Sequence, residues 1–322
     1  MRVSLAGHGA GIPRVADALN ENGHEVCCLV THPREEHEKD RDLSEMLNGY
    51  GLYASIFEEA ENRKIPLLET HDSNESASIE WIRSHRPDWV VSVSHRHILR
   101  QAFLDTFGGR VLNLHMAPLP RYRGGAVDTW MILGDEREVH AVCHLIDAGV
   151  DTGSIVATCP YTIPPNARPI DVYRSRMAII GDLIIRAFER LQVGEFVLPL
   201  QDRTDGFTFP KLRTDIDGQI LWTWPAESIE RQVRAFGVPY KGAFTFLNGN
   251  RIRIVDGFVA SENKMNFHPL ATGLVIGRSE GGGFRVVTGN GVYVITDASE
   301  KLRNGKRFEA VSRSRLEEMF NE

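Results

Sequence analysis

The sequence has few of the features that mark secreted or membrane proteins. Its four cysteines are irregularly spaced and include no CxxC pair, so neither a disulfide framework nor a thiolate metal site is predicted. No stretch approaches the roughly 18 to 20 unbroken apolar residues of a membrane helix. The short apolar run at the beginning, "MRVSLAGHGAG", lacks the pattern of a signal peptide. We therefore expect reduced core thiols in a cytoplasmic protein that does not span a membrane.

An excess of basic residues is also missing. The chain has 37 lysines and arginines against 43 aspartates and glutamates, a formal net charge of −6. Proteins that bind nucleic acid through its phosphates usually have a basic excess or a basic stripe. The charge balance argues against a nucleic-acid partner, although it leaves a local basic patch open.

The order of strand-like and helical patterns predicts two domains. A chain of 322 residues exceeds the usual size of a single domain. In the first half, strands alternate with helices, which predicts an α/β fold of Rossmann-like type with a parallel sheet. Later, short strands with "LNGN" and "TGNG" turns predict a small OB-like β-barrel. We place the domains at residues 1–205 and 206–322, with a polar linker over 199–218.

Glycines 7, 9 and 11 follow the first strand in "LAGHGAG". Their spacing is G-x-G-x-G, which differs from the dinucleotide-binding pattern, and a matching acidic residue after the second strand is not clear. A nicotinamide or flavin cofactor is therefore not favoured. Because helix N-termini attract anions, His8 and Gly9 remain candidates for contact with a phosphate of the substrate.

The histidines do not predict a metal site. His140 and His144 lie in "HAVCHLI", which has a strand pattern. Residues four apart in a strand are separated by about 13 Å, too far to share an ion. His95 and His97 form the other close pair, and the HExxH pattern is absent. We predict no metal.

The segment "LNLHMAPLPRYRGG", residues 112–125, combines a strand with polar residues and an abrupt end. Asn113 and His115 project from one face of the strand, about 7 Å apart. Ligands of α/β proteins bind at the carboxyl ends of such strands. Either residue alone could be a core residue with satisfied hydrogen bonds, but the two together beside a loop rich in proline and arginine predict a site.

A second loop, "DAGVDTG" at residues 147–153, carries two carboxylates and two glycines after another strand. Aspartate and glycine are common in solvated turns. The alternative is that one aspartate orients or deprotonates His115.

Both segments closely resemble the folate-dependent formyltransferases. That family has an Asn-x-His pattern, a Ser-Leu-Leu-Pro-x-Tyr-Arg-Gly loop and an Asp-x-Gly-x-Asp-Thr-Gly loop, and Asn113 and Asp151 have the family's separation. The later segment "LWTWPAESIERQVRAFGVPYKGAFTF" looks like the start of the C-terminal barrel of methionyl-tRNA formyltransferases and many sugar N-formyltransferases. The resemblance covers nearly the whole chain.

The resemblance implies transfer of a formyl group from 10-formyltetrahydrofolate to a primary amine, without a metal. The implied catalytic residues are Asn113, His115 and Asp151, with His115 acting either as base or as protonated donor. The implied folate contacts are Arg96, His97, Ile98, Asp147, Gly149 and Val150. The acceptor side is implied to be shaped by Tyr122, Arg123 and Gly124, although Arg123 could instead hold the loop to the sheet.

One departure from the family pattern bears on the acceptor. The loop has Met116-Ala117-Pro118-Leu119 where the usual pattern is Pro-Ser-Leu-Leu, and this variant resembles enzymes that act on nucleotide-linked amino sugars. The resemblance therefore favours such a small-molecule acceptor, for surface glycan or lipopolysaccharide synthesis. A small amine or hydroxyornithine of a siderophore or peptide pathway, methionyl-tRNA, and a retired active site remain alternatives. The resemblance also allows a homodimer, for which the sequence shows no interface.

Overall fold

The computed structural model describes residues 1–39, 41–193, 198, 200–202, 206–261, 266–300 and 302–320, except the side chains of 38, 39 and 41–44. The chain forms two compact units. The first consists of Met1–Val127, Arg137–Ile163 and Tyr173–Phe209, and the second of Asp128–Glu136, Pro164–Val172 and Pro210–Glu322. Two short segments from the first half thus belong to the second unit, and the boundary at residue 205 stays a prediction.

A seven-stranded sheet forms the centre of the first unit, in the order β3-β2-β1-β4-β5-β7-β8. The strands from β3 to β5 are parallel, which confirms the α/β prediction. Strand β7 is antiparallel to β5, and β8 is antiparallel to β7, because the loop between β7 and β8 is too short for a parallel crossover. The strands are β1 Arg2–Gly7, β2 Glu25–Thr31, β3 Leu67–Glu69, β4 Trp89–Val93, β5 Val111–His115, β7 Glu138–Leu145 and β8 Ile155–Thr162.

Helices connect the strands from β1 to β5. Helix α1 buries Ile12, Val15 and Leu19, which are spaced by three and four residues. The predicted end of the longest helix, Gly194, lies outside the described residues. The helices are α1 Gly11–Glu21, α2 Arg34–Lys39, α3 Arg41–Gly49, α4 Ile56–Arg63, α5 Ser76–Ser84, α6 Gln101–Thr106, α7 Val127–Leu133 and α8 Pro169–Gln192. Among the described helices, none is long and apolar enough to cross a membrane.

The predicted linker contains regular structure. Strand β9, Thr208–Phe209, pairs in parallel with β6, Arg123–Gly124, and helix α9 spans Thr214–Asp217. The linker prediction was therefore wrong for these residues, and Pro199 lies outside the described residues. The pairing could not be expected from the sequence because each strand has only two residues, too few for a hydrophobic pattern.

The second unit contains the predicted barrel. Its five antiparallel strands have the order β10-β11-β14-β13-β12, and the segment 305–309 hydrogen-bonds to β10 at one edge and to the start of β12 at the other. Both predicted hairpin turns are present. The elements are α10 Ala226–Ala235, β10 Ala243–Leu247, β11 Asn250–Val259, β12 Val275–Arg278, β13 Phe284–Val287, β14 Val292–Ala298 and α11 Arg313–Phe320.

Candidate active site

Strands β4, β5 and β7 bring three polar side chains together near the middle of the sheet. Asn113 on β5 is in register with Ser92 on β4 and with His144 on β7. His115, two residues further along β5, lies on the same face as Asn113, as the strand pattern predicts. Both side chains reach Asp151, which belongs to the loop between β7 and β8.

Asp151 is the point at which the side chains of the site meet. Its Oδ1 lies 3.3 Å from Asn113 Nδ2 and 3.5 Å from His144 Nε2. Its Oδ2 lies 3.5 Å from His115 Nδ1 and accepts a 2.8 Å hydrogen bond from the backbone N–H of Gly124. Burial acts to raise the pKa of Asp151, but the His144 and His115 rings in their protonated forms, together with the Gly124 N–H, lower it to about 2. The carboxylate is therefore ionised at neutral pH.

The contacts of His115 determine which ring nitrogen is protonated. Its Nε2 lies 2.6 Å from the carbonyl oxygen of Tyr122. Because a carbonyl oxygen can only accept, Nε2 carries the proton, and Nδ1, facing Asp151, holds the lone pair of the neutral ring. Burial lowers the pKa of His115, while the Asp151 charge acts in the opposite direction. The buried ring is thus neutral at pH 7, with a proton acceptor directed at a carboxylate.

The orientation of the Asn113 amide is fixed in the same way. Its Oδ1 accepts a 2.9 Å hydrogen bond from the Ser92 hydroxyl, so its Nδ2 faces Asp151 and His144 Nε2, the latter at 3.1 Å. His144 donates from Nδ1 to the Leu145 carbonyl at 2.7 Å, which leaves Nε2 to accept.

The sequence analysis did not identify His144 and Ser92 as residues of the site. His144 was considered there only as a metal ligand, and Ser92 was not singled out. Both lie opposite Asn113 across strand pairings that no local pattern reveals, so the sequence alone carries no signal for either contact.

The "DAGVDTG" loop shows why only one of its aspartates reaches the site. Asp147 Oδ1 accepts hydrogen bonds from Gly149 N at 3.1 Å and from Thr152 Oγ1 at 2.6 Å, so this carboxylate holds the loop itself. A Cβ on Gly149 would lie 2.0 Å from Thr152 Oγ1. The loop is tightly packed at this end, while Val150 at its tip is 44% exposed.

The segment Tyr122–Gly124 presents its backbone to the site and its side chains to the protein. The Tyr122 ring is buried and stacks on Phe209, with ring centroids 5.2 Å apart. The guanidinium of Arg123 is also buried and donates to Gln201 Oε1 at 3.0 and 3.3 Å. Of the two roles considered for Arg123, these contacts favour the one in which it holds the loop.

Gly124 is expected to tolerate no side chain. Its φ is +93°, and a Cβ there would lie 2.2 Å from the Phe209 carbonyl oxygen. Gly124→Ala should displace the N–H that binds Asp151 and lower kcat by about tenfold or more, because small displacements at a reacting centre have large effects. The measurement is kcat at saturating concentrations of the substrates. Gly108→Ala is the matched control, since Gly108 also has a positive φ but open space around it. Equal kcat in both variants would contradict the prediction.

The residues predicted to contact folate follow β4, the strand next to the one that carries Asn113. Arg96 Nη1 lies 3.8 Å from Glu36 Oε2, and His97 Nδ1 lies 3.1 Å from Ser73 Oγ. Ile98 is 71% exposed, and its carbonyl accepts a 3.0 Å hydrogen bond from Asn74 Nδ2. Ser73 and Asn74, which the sequence did not single out, thus hold this loop in place.

The glycines after β1 have separate roles. A Cβ on Gly7 would lie 1.8 Å from the Val93 carbonyl oxygen, and one on Gly11 would lie 2.8 Å from Val93 Cγ1. These two glycines allow close packing against β4. At Gly9, with φ +76°, a Cβ would approach only the Tyr173 hydroxyl, at 3.7 Å. Open space is therefore found at Gly9, between β1 and helix α1.

Around His8 is a group of imidazoles that the sequence did not predict. The His8 ring centroid lies 5.1 Å from that of His32, and His32 stacks on His37 at 3.6 Å. His32 is 2% exposed, and its Nε2 has no hydrogen-bond partner among the residues that the structure describes. Burial first, and then the charges of His37 and Arg96, lower the pKa of His32 to about 3.

This pKa predicts a pH-dependent stability. Between pH 6.5 and about 3 the unfolded chain is protonated at His32 and the folded chain is not. The free energy of unfolding should therefore fall as pH falls through this window. His32→Gln should flatten that dependence by up to about 1.4 kcal/mol per pH unit. Urea unfolding at pH 7 and pH 5 measures the change, and exposed His71→Gln is the control. An unchanged slope in His32→Gln would refute the assignment.

The described part of the chain contains no group of three or more histidine, cysteine, aspartate or glutamate side chains that could hold a metal ion. The polar side chains of the site are instead hydrogen-bonded to one another. This arrangement can orient a donor, a neutral base and a carboxylate around one reacting carbon.

Comparison with known proteins places the chain in a family. The family model described as "Formyl transferase" matches residues 1–185, and the model described as "Formyl transferase, C-terminal domain" matches residues 213–311. The methionyl-tRNA formyltransferase of Chloroflexus aurantiacus is 31% identical over 94% of this chain and 93% of its own length.

Solved structures share the fold at lower identity. WlaRD, a sugar 3N-formyl transferase, has a TM-score of 0.66 and 19% identity, over 94% of this chain and 99% of that chain. An N-formyltransferase from Helicobacter canadensis, in complex with folinic acid and dTDP-3-aminofucose, has a TM-score of 0.63 and 18% identity, over 94% and 98% of the two chains. The resemblance stated from the sequence is confirmed: the chain belongs to the formyl transferase family and is a formyl-transferring enzyme.

Proposed function

We propose that this enzyme moves a formyl group from 10-formyltetrahydrofolate to the primary amine of a nucleotide-linked amino sugar. The main observation that supports this reaction is the position of Asp151, which contacts Asn113, His115 and His144 in one buried cluster. The use of folate is supported by similar proteins, since WlaRD was crystallised with 5-N-formyl-THF and the Helicobacter canadensis enzyme with folinic acid.

In the proposed mechanism, Asn113 stabilises the charge that develops on the formyl oxygen. The acceptor amine attacks the formyl carbon, and the carbonyl oxygen gains negative charge in a tetrahedral intermediate. The Asn113 N–H groups, which contact Asp151 and His144 without substrate, turn one hydrogen to this oxygen. Because the Ser92 hydroxyl holds the amide oxygen, only one hydrogen bond of Asn113 is exchanged, and a donor that needs little reorganisation stabilises such an oxyanion.

His115 moves the proton. Its Nδ1 lone pair accepts a proton from the attacking amine, and Asp151 stabilises the resulting imidazolium at 3.5 Å. The bond between the formyl carbon and folate N10 then breaks, and the imidazolium returns its proton to N10. The products are the N-formyl compound and tetrahydrofolate. His115 is therefore proposed as the base, with its protonated form acting as the acid of the second step.

The substrate contacts remain part of the proposal. Folate is assigned to the loop after β4 and to the loop after β7, where Ile98 and Val150 offer exposed apolar surface. The acceptor is assigned to the Tyr122–Gly124 backbone and to the open space at Gly9. The proposal also includes a cytoplasmic location and a role in the synthesis of surface glycans.

Methionyl-tRNA is the second candidate acceptor. It is favoured by the 31% identity with the methionyl-tRNA formyltransferase of Chloroflexus aurantiacus. The net charge of −6 argues against it, because a tRNA-binding protein gains affinity from basic residues. The altered loop at Met116–Leu119 supports the nucleotide sugar instead.

A panel of acceptors tests the proposal. Purified enzyme is incubated with 10-formyltetrahydrofolate and nucleotide amino sugars, ornithine derivatives or initiator methionyl-tRNA, and the mass gain of one CO is measured. Formylation of a nucleotide sugar is the expected result. Formylation of tRNA or of an ornithine derivative alone would refute the acceptor assignment and keep the mechanism. If no acceptor is formylated, the proposed acceptor class is wrong.

A further inference from the structure

A buried glutamine connects the two loops that form the site. Gln201 is 8% exposed and lies in the segment that the sequence suggested to be a linker. Its Nε2 donates to the carbonyl oxygen of Asp151 at 2.9 Å and to that of Gly153 at 2.8 Å. Both hydrogens of the amide are therefore used on the loop that carries Asp151.

The oxygen of the same amide serves the other loop. Gln201 Oε1 accepts hydrogen bonds from Arg123 Nε at 3.3 Å and Nη2 at 3.0 Å. A charged donor makes these bonds stronger than neutral ones, and the guanidinium is buried. Nη2 also contacts the Asp202 carbonyl at 3.3 Å, so the arginine is fixed to the segment around Gln201.

These contacts close a ring. Arg123 is followed by Gly124, whose N–H binds the Asp151 carboxylate at 2.8 Å, and the Asp151 carbonyl binds Gln201. Gln201 in turn binds Arg123. Asp151 is thus held at both its backbone and its side chain.

The ring bears on the conformation of Asp151. Its φ is +52°, in the left-handed region that non-glycine residues adopt at a cost. Such a conformation persists only where the surroundings impose it. The Asp151 carbonyl oxygen accepts a hydrogen bond from Gln201. Gln201 therefore contacts the peptide group that directly follows Asp151.

We infer that Gln201 is a positioning residue for formyl transfer: by holding the Asp151 backbone and Arg123 together, it keeps the Asp151 carboxylate against His115 and Asn113. This inference rests on the proposed catalytic role of Asp151. The alternative is that Gln201 stabilises the fold without affecting the carboxylate.

The ionisation of His115 separates these alternatives. The Asp151 charge raises the pKa of His115 against the effect of burial. If loss of the Gln201 amide lets the carboxylate move away, the pKa of His115 should fall further. Loss of stability alone would leave the pKa unchanged, since the folded molecules would keep their geometry.

The experiment compares two buried glutamines. Gln201→Met removes the amide at similar volume and introduces no charge. Gln219→Met is the matched control, because the Gln219 side chain makes a similar bridge, to Val311 N and O at 2.8 Å each, within the barrel. NMR titration of 15N-histidine-labelled protein gives the pKa of His115, assigned with His115→Gln, and unfolding in urea gives the stability. Gln201→Ala repeats the test if the methionine variant does not fold.

We expect Gln201→Met to lower the pKa of His115 and to reduce kcat on the identified acceptor by about tenfold to a hundredfold. Gln219→Met should change neither. An unchanged pKa of His115 in folded Gln201→Met or Gln201→Ala would overturn the inference. Asp151→Asn separates this failure from that of the proposed function: if that variant retains full kcat, the catalytic role of Asp151 is wrong, whatever Gln201 does.

Discussion

Asp151→Asn is expected to lower kcat by about three to four orders of magnitude, with KM for 10-formyltetrahydrofolate little changed. The replacement keeps the size of the side chain and removes its charge. The imidazolium of His115 would lose its carboxylate partner, and an amide N–H would face either His115 or Asn113. Initial rates over a range of folate concentrations measure both constants.

The control for this variant is Asp88→Asn. That carboxylate accepts a hydrogen bond from Arg2 N at the amino end of β4, whereas Ser92 of the site lies near the carboxyl end of the same strand. The pH profile adds a second check. In the natural enzyme kcat should be constant near neutral pH and fall at acid pH as His115 is protonated, with the acid limb below pH 6.5 because burial lowers the pKa of His115. A residual activity of Asp151→Asn within tenfold of normal would rule out this role.

Asn113→Ala is expected to lower kcat by about 10² to 10³, because it removes the donor assigned to the formyl oxygen. The loss should fall on kcat and leave KM for folate within a few-fold, since the interaction is made in the transition state. The variant also leaves the Ser92 hydroxyl without its acceptor and His144 Nε2 without its donor. Some loss of stability is therefore expected alongside the loss of activity.

Ser92→Ala separates these two effects. It removes the partner of the Asn113 oxygen and keeps the Asn113 N–H groups. If kcat falls as far in Ser92→Ala as in Asn113→Ala, the loss comes from disruption of the network and the oxyanion assignment is wrong. Urea unfolding of both variants gives the stability change, and Asn22→Ala, which removes a surface amide at the end of α1, is the control.

The effects of Asp151→Asn and Asn113→Ala should not add. Both side chains belong to one hydrogen-bonded cluster. When residues act as a unit, the first substitution already removes most of their joint contribution to the rate. The double variant should be little slower than Asp151→Asn. Independent, multiplicative losses would indicate that the two residues act in separate steps.

Much of the architecture could be predicted from local patterns. Short apolar runs placed β1, β2, β4 and β5, and turns rich in glycine and asparagine placed the hairpins of the barrel. Asn113 and His115 were assigned to one face of β5 because side chains alternate along a strand. Asn113, His115 and Asp151 were identified from two short motifs that have the spacing found in the formyltransferase family.

The sequence by itself determined most of the elements, the family of the chain and three residues of the candidate site. Only the tertiary structure decided their partners. His144 and Ser92 lie opposite Asn113 through strand pairings, and Gln201 meets Asp151 from 50 residues away. Such contacts depend on register and loop position, which no local periodicity records. Hydrogen bonding to fixed carbonyl groups likewise decided the protonated nitrogens of His115 and His144, because only the folded chain brings those carbonyls within reach.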